Sequence, residues 1–225
     1  VVTRGTPRFS VIVPHYDGSI SEALLLRGLG CLAKQTFADF ELLLYHDGPL
    51  TRPLPDLTAV GLGARVRISI SERRHNDWGH SLRDRGIREA SGDYIVHFNP
   101  DNILYENALE VLDRYSRAPV PPVTAPELAE NPAILIYAIA MRGMNFNGRW
   151  PIWRNPADPA RALIYTGIPP VPGLIDCMQL VATRTVWEQV GGWYDRSEMS
   201  DGTIYSRLVR ERGARYVPAV LGEHW

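Results

Sequence analysis

Phe9-Ser-Val-Ile-Val-Pro-His-Tyr-Asp-Gly-Ser19 is the stretch whose reading decides the fold. Its first six residues are an apolar, β-branched run bounded by proline, the mark of a short buried strand, and His15 to Ser19 form a polar turn. Residues 21–35 follow with Leu24, Leu25, Leu29 and Leu32 at helical spacing. The same unit recurs along the next stretch. Phe40-Glu-Leu-Leu-Leu-Tyr45 is a second strand, left through His46-Asp47-Gly48. Residues 49–63, rich in Pro and Gly, predict a loop with at most a short helix, and Val66 to Ile70 alternates as a third strand. A helix over 78–90 is closed by Gly92, and Tyr94-Ile-Val-His-Phe98 is a fourth strand, left through Asn99-Pro-Asp-Asn102 toward a helix over 106–115. Strands that alternate with helices in this way predict an α/β, doubly wound, mostly parallel sheet with helices on both faces. Ligands of such sheets bind beyond the carboxyl ends of the strands, where all three polar exits fall.

The second half is less regular. Residues 118–132 are a proline-rich connection, Ile134 to Ala140 a strand, and 143–173 a long loop dense in Gly, Pro, Asn and Trp. Cys177 to Ala182 is a strand and Arg184 to Val190 a helix. Residues 201–212 form a helix capped by Ser200 or Asp201 and ended by Gly213, and a last strand covers Val217 to Val220. The expectation is a single domain over 1–225, with a ligand-binding half at 1–117 and a more irregular half at 118–225. The chain opens without Met and stops at Trp225 inside an apparent motif, so both ends are expected to be trimmed.

Composition narrows the function. With 225 residues, 45% apolar and 22% charged, the chain is ordinary globular protein, neither disordered nor collagenous nor a disulfide scaffold. Lys+Arg 24 against Asp+Glu 25 leaves a net charge of -1, no field to recruit nucleic acid or an anionic membrane. Positive charge is nearly all arginine, Lys34 being the single lysine. Cys31 and Cys177 read as reduced core residues, which predicts a cytoplasmic protein, and no apolar run is long enough to span a membrane.

Four segments, taken in order, resemble the inverting family 2 glycosyltransferases of the GT-A fold. They are Phe9-Ser-Val-Ile-Val-Pro-His-Tyr16, Gln35-Thr-Phe-Ala-Asp-Phe-Glu-Leu42 leading to Asp47-Gly48, Ala90-Ser-Gly-Asp-Tyr-Ile-Val-His-Phe-Asn-Pro-Asp-Asn102, and Thr183-Arg-Thr-Val-Trp-Glu-Gln-Val-Gly-Gly-Trp-Tyr-Asp195. The resemblance covers roughly residues 9–115 and 174–213. It implies transfer of a sugar from a nucleotide-diphosphate donor, UDP-linked first and GDP- or TDP-linked after, to a hydroxyl acceptor with inversion. A divalent cation, Mn2+ or Mg2+, would neutralise the departing diphosphate, and a carboxylate would deprotonate the acceptor.

On these positions the resemblance places Asp101 as a metal ligand at the end of the fourth strand, where the family carries its acidic motif, and His224 as a second ligand. Asn99-Pro100-Asp101 keeps one carboxylate where the family often has two. As plain structure, Asp101 would cap the next helix and His224 would be a surface residue. Pro14, His15, Tyr16, Asp47, Asn76, Arg83 and Asn99 are the nucleotide-sugar-binding candidates, with Asp77, Trp78 and His80 as further candidates for the base pocket. Asp47-Gly48 is equally a turn dipeptide, and Arg83 equally a surface partner of Asp84. Asp201 is the general-base candidate, expected to be ionised because a helix start lowers its pKa, and equally a simple N-cap. Trp150 and Trp153, with Asp176, are the acceptor-side candidates, the tryptophans being equally loop side chains packed on the domain. The thinned acidic motif leaves a second reading open, a sugar-nucleotide-binding or scaffold protein with little turnover.

Overall fold

In the computed structural model, which describes residues 5–118, 133–146, 151–154 and 160–225, the first half is built as the apolar runs predict. Strand β1 (Phe9–His15) is followed by helix α1 (Glu22–Ala33), β2 (Phe40–His46), β3 (Val66–Ile70), α2 (His80–Glu89), β4 (Tyr94–His97), the two-residue β5 (Ile103–Leu104) and α3 (Ala108–Arg117). The second half adds β6 (Ile134–Arg142), β7 (Met144–Phe146), β8 (Pro151–Arg154), β9 (Ala162–Tyr165), β10 (Leu180–Thr183), α4 (Arg184–Val190), α5 (Ser200–Arg212) and β11 (Arg215–His224).

The main sheet runs in the order β3-β2-β1-β4-β10-β6-β11-β5, with β9 also paired to β6. β1, β2, β3 and β4 are mutually parallel, and β6 and β11 are parallel to each other, while β10, β9 and β5 pair antiparallel with their neighbours. Side-chain alternation on β1 sorts the core into two layers. Phe9, Val11 and Val13 pack with Leu25, Leu29 and Leu32 of α1 and Leu109 and Leu112 of α3. Ile12 packs on the other face, in the layer that holds Leu82 and Ile87 of α2, Trp187 of α4 and Ile204, Tyr205 and Leu208 of α5. The sheet is thus doubly wound, with helices on both faces, and residues from both halves of the chain share each layer.

Several boundaries differ from the sequence expectation. Ser21 and Lys34 are the caps of α1, so that helix is shorter at both ends. α2 begins at His80 because Trp78 and Gly79 have positive φ and cannot continue a right-handed helix backward. The predicted loop 143–173 contains β7, β8 and β9; β9 satisfies its backbone on β6 although its four residues are too few to show a periodicity. Cys177–Gln179 is a 3-10 turn ahead of β10, capped by Asp176. β11 reaches far beyond Val217 to Val220; its register against β6 shifts twice, first across Pro218 between Val217 and Val220 and again between Val220 and Gly222. Both cysteines are free, but only Cys177 is in the core, and Cys31 is half-buried. Among the described residues no helix is long and apolar enough to cross a membrane.

Candidate active site

The carboxyl ends of β1, β2 and β4 open onto one cleft of about 500 Å³. Its walls include Pro14, His15 and Tyr16 at the end of β1, Asp47 after β2, Arg74, Asn76, Trp78 and Gly79 ahead of α2, and Asn99, Pro100 and Asp101 after β4. Six of the seven nucleotide-sugar candidates therefore meet in one place, together with Asp101.

Asp47 is the hinge of this wall. Its Oδ1 accepts the His75 backbone N–H at 2.8 Å and its Oδ2 that of Asn76 at 3.1 Å, so the carboxylate holds the loop that faces it. That loop has two non-glycine residues in the left-handed region, Asn76 (φ 56) and Trp78 (φ 55). Such backbone persists only where its surroundings dictate it, and it turns Trp78 outward to 62% exposure at the cleft. Behind Asp47, buried Asp17 accepts from the Thr51 N–H and hydroxyl, both at 2.8 Å, and from the Arg52 N–H. Burial alone would raise the Asp17 carboxyl, but these hydrogen bonds outweigh it and hold the group at about 2. His46 Nδ1 lies 2.7 Å from the Gly48 carbonyl, and its Nε2 lies 3.2 Å from the Asp17 backbone N and 3.3 Å from Asp17 Oδ1, so the ring bridges the ends of β1 and β2.

His15 is buried, and among the described residues its ring nitrogens make no well-formed hydrogen bond, only a weak approach to the Ile20 backbone. Burial, reinforced by His46, pushes its pKa down to about 4, so the ring is neutral at pH 7 and presents one donor and one acceptor. Tyr16 is half-buried and is covered by the Arg74 guanidinium, 3.7 Å above its ring centre.

Arg83 stands directly behind the cleft wall. It is buried, it does not line the cleft and it is no surface partner of Asp84, which binds Arg88, Arg196 and the Trp193 N–H instead. Arg83 donates to Asn99 Oδ1 at 2.5 Å and to the Trp78 carbonyl at 2.8 Å, and its guanidinium lies 5.3 Å from the Trp193 ring centre. It touches the cleft through two of its wall residues. Asp77 and His80 also stand back from the cleft; of that trio only Trp78 lines it.

The last strand approaches the segment that follows β4. Pairing of β11 with β5 sets Glu223 opposite Ile103, and the Trp225 N–H donates to Asn102 Oδ1 at 3.3 Å, which brings His224 to the chain segment that carries Asp101. Arg27 donates to the Asp101 carbonyl and fixes the backbone there. His224 Nδ1 lies 3.3 Å from Asp176 Oδ2, while Asp176 Oδ1 accepts the Met178 N–H at 3.0 Å. Arg83 Nη2 comes within 3.4 Å of the Cys177 sulfur, so a continuous path of contacts runs from Asn99 through Arg83 and the 176–177 turn to His224. Among the described residues no group of three or more His, Cys, Asp or Glu is clustered as a ready-made metal site.

Asp201 lies in the first turn of α5 and accepts its own helix's Gly202 N–H at 2.7 Å. The N-cap is Met199, which makes no side-chain cap bond, so neither Ser200 nor Asp201 caps this helix. Nor is Asp201 simply ionised: burial, and next the nearby negative charge of Asp176, push its carboxyl up to about 7, outweighing the helix start and the Arg83 guanidinium. Trp150 lies outside the described residues; Trp153 stands in β8 opposite Asn145, its side chain outside the described part. The residues that sequence reasoning missed are Arg74, Asp17 and Arg27. Arg73-Arg74, just ahead of His75-Asn76, is a signal for the first, and the place of Asp17 in the polar exit of β1 is one for the second; Arg27, on a leucine-rich helix, carries none.

The profile of the family described as Glycosyl transferase family 2 matches residues 10–188, most of the chain. The chain belongs to that family. A relative from Mycobacterium bovis (strain BCG / Pasteur 1173P2), named PGL/p-HBAD biosynthesis glycosyltransferase, is 32% identical over 148 residues, 64% of this chain and 50% of the relative. This family 2 chain thus spans about half the length of the curated relatives it matches. Its fold is that of S. aureus TarS 1-349, solved in complex with UDP-GlcNAc (TM-score 0.62, 15% identity, 96% of this chain and 58% of that one). It is likewise that of the mannosyltransferase PcManGT from Pyrobaculum calidifontis, solved with GDP-Man and Mn2+ (TM-score 0.60, 14% identity, 98% and 57%). The GT-A architecture expected of the sheet is therefore the one observed.

Proposed function

We propose that this chain is the donor-binding and catalytic core of an enzyme that moves a sugar from a nucleoside-diphosphate sugar to a hydroxyl acceptor with inversion. The observation that carries the reading is Asp201: a carboxyl tuned to about 7, joined electrostatically through Arg83 and Asp176 to the polar rim of the cleft. A general base is most effective when its pKa is near the working pH. The acceptor oxygen forms its bond to the anomeric carbon as the bond to the diphosphate oxygen breaks. The acceptor proton passes to an Asp201 oxygen, and the electron pair leaves with the nucleoside diphosphate.

Asp47, Asn76, His15 and Tyr16 would hold the nucleotide, and Pro14 would pack against it. The neutral His15, with no well-formed hydrogen bond among the described residues, suits a ribose hydroxyl or phosphate oxygen, as donor or acceptor. The relatives' ligands make a UDP-linked donor the first choice and a GDP-linked donor the second. Asn99 meets the sugar or diphosphate, and Arg83 acts on the donor through Asn99. Trp153 and Asp176 would contribute to acceptor binding.

The donor set fits a hard divalent cation, Mn2+ or Mg2+, held by Asp101 and His224 with the remaining positions filled by diphosphate oxygens and water. The fit rests on His224: a carboxylate beside Nδ1 is the arrangement that orients a histidine to ligate through Nε2. Bound there, the cation would neutralise charge developing on the leaving diphosphate.

Titration of UDP and GDP with and without Mn2+, followed by release of nucleoside diphosphate from UDP- and GDP-sugars, tests the reading. Asp201→Asn should cut turnover about 10²-fold or more while leaving nucleotide affinity within twofold. Asp101→Ala should abolish the metal dependence of binding. Tight binding with no turnover of any donor would favour a sugar-nucleotide-binding protein, the role that the single carboxylate of Asn99-Pro100-Asp101 favours.

A further inference from the structure

The segment that walls the donor cleft and the turn that carries Asp201 are knotted together through a residue that touches neither ligand, His80. Its ring is 5% exposed and stacks on Trp193 (centroids 5.5 Å, interplanar angle 13°), which stacks in turn on Trp187 (5.7 Å, 16°). His97, fully buried, meets both tryptophans edge-on. His80 Nε2 lies 3.0 Å from the Ser197 carbonyl, which only accepts, so that nitrogen carries the hydrogen. Ser200 Oγ accepts the Trp193 indole N–H at 3.0 Å and sits 3.0 Å from His80 Nε2 and 3.4 Å from Nδ1, the ring's remaining acceptor. Arg196 closes the knot by donating to the His80 carbonyl at 2.9 Å and to Asp84 at 3.0 Å.

On one side of His80 stand Trp78 and Gly79, both in the cleft wall; on the other, Ser200 is the residue before Asp201. α5 has no side-chain cap to fix its first turn, so the buried Ser200 hydroxyl anchors it instead. We propose that His80 is a positioning residue that couples occupancy of the donor cleft to the placement of Asp201 through Ser200. The inference rests on the proposed donor site and deepens it. A bound nucleotide that orders residues 76–79 would stiffen His80, and through Ser197 and Ser200 the turn where the acceptor is deprotonated. Packed aromatic rings and three hydrogen bonds transmit a small displacement because a close-packed core deforms little. No contact between nucleotide and α5 is needed.

Hydrogen exchange of the whole chain with UDP or GDP and Mn2+ tests this directly. Nucleotide should slow exchange at least fivefold in 74–79 and also in 199–205. His80→Phe, which keeps the stack and removes the N–H, should preserve the first protection and lose the second, and Ser200→Ala should do the same from the other end. His80→Gln, which keeps an N–H within reach of the Ser197 carbonyl, should restore part of it. Where a donor is turned over, His80→Phe should lower kcat about tenfold with nucleotide Kd within twofold, and should cause no further loss when added to Asp201→Asn. Protection of 199–205 that survives both His80→Phe and Ser200→Ala, or a full tenfold loss on top of Asp201→Asn, overturns the proposal. Protection of 74–79 alone in the unsubstituted protein overturns it and leaves the donor site standing. No protection anywhere refutes the donor site itself.

Discussion

Replacing Asp201 by Asn should cost activity and add stability, and the gain should depend on pH. The carboxyl is raised from an ordinary 3.8 to about 7, chiefly by burial and then by Asp176. At about 1.4 kcal/mol per pH unit, that places the ionised form up to ~4 kcal/mol above an exposed aspartate. The attraction of Arg83 is already contained in that value. Water reaching this half-buried side chain screens part of the penalty, so about 2 kcal/mol is the working expectation. The sign follows from linkage. Because the folded pKa lies above the unfolded one, full stability is present below pH 3.8, is lost as pH rises toward 7, and stays lost above it. Asn cannot ionise and still offers an oxygen to the Gly202 N–H. Urea or thermal unfolding of the metal-free protein should therefore show no difference at pH 4, a growing advantage for Asp201→Asn between pH 5 and 7, and a plateau at pH 8. For a chain of this size, ~2 kcal/mol corresponds to a Tm rise of about 4–8 °C. Equal stability at pH 8, or an advantage that ignores pH, would refute the claim that the native fold pays to hold a poised base.

Three further outcomes follow from particular contacts. Gly28→Ala puts a methyl group onto the Pro100 carbonyl, and in a helix backed against the 99–102 turn only backbone movement relieves it; unfolding should show a loss of about 1–3 kcal/mol and weaker metal-dependent nucleotide binding, because the turn carries Asp101. Asp17, held at about 2 against an ordinary 3.8, contributes roughly 2 kcal/mol above pH 4 that disappears as pH falls through 2; Asp17→Asn should lower stability at pH 7 and flatten the acid limb of the stability curve. Asp47→Ala frees the His75 and Asn76 N–H groups and should weaken UDP or GDP binding at least tenfold by calorimetry, with a stability loss of about 1–3 kcal/mol.

The parts of this molecule that could be read from its residues are those whose cause is local. β1, β2 and β4 are apolar runs that end in polar turns, and parallel pairing aligns those turns, so Pro14, Asp47 and Asn99 meet without any long-range information. Two of the elements that escaped are too short to carry a period: β5 has two residues and β9 four, and each exists because a longer partner, β11 or β6, lends it hydrogen bonds. The site residues divide in the same way. Position along the chain put Asp201 at a helix start, where the dipole argues for a lowered pKa, yet its proton affinity is decided by burial and by Asp176, neither visible in the spacing. Arg83 stands at the expected distance from Asn76, but one turn into α2 faces the Trp193 layer, and the guanidinium reaches the cleft only through its wall residues Asn99 and Trp78. A motif therefore transmits where a side chain is anchored, while its charge state and what it touches belong to the packing of distant segments. The pH-dependent stability of Asp201→Asn is informative for that reason: it measures the contribution that the surrounding fold, and not the motif, makes to the site.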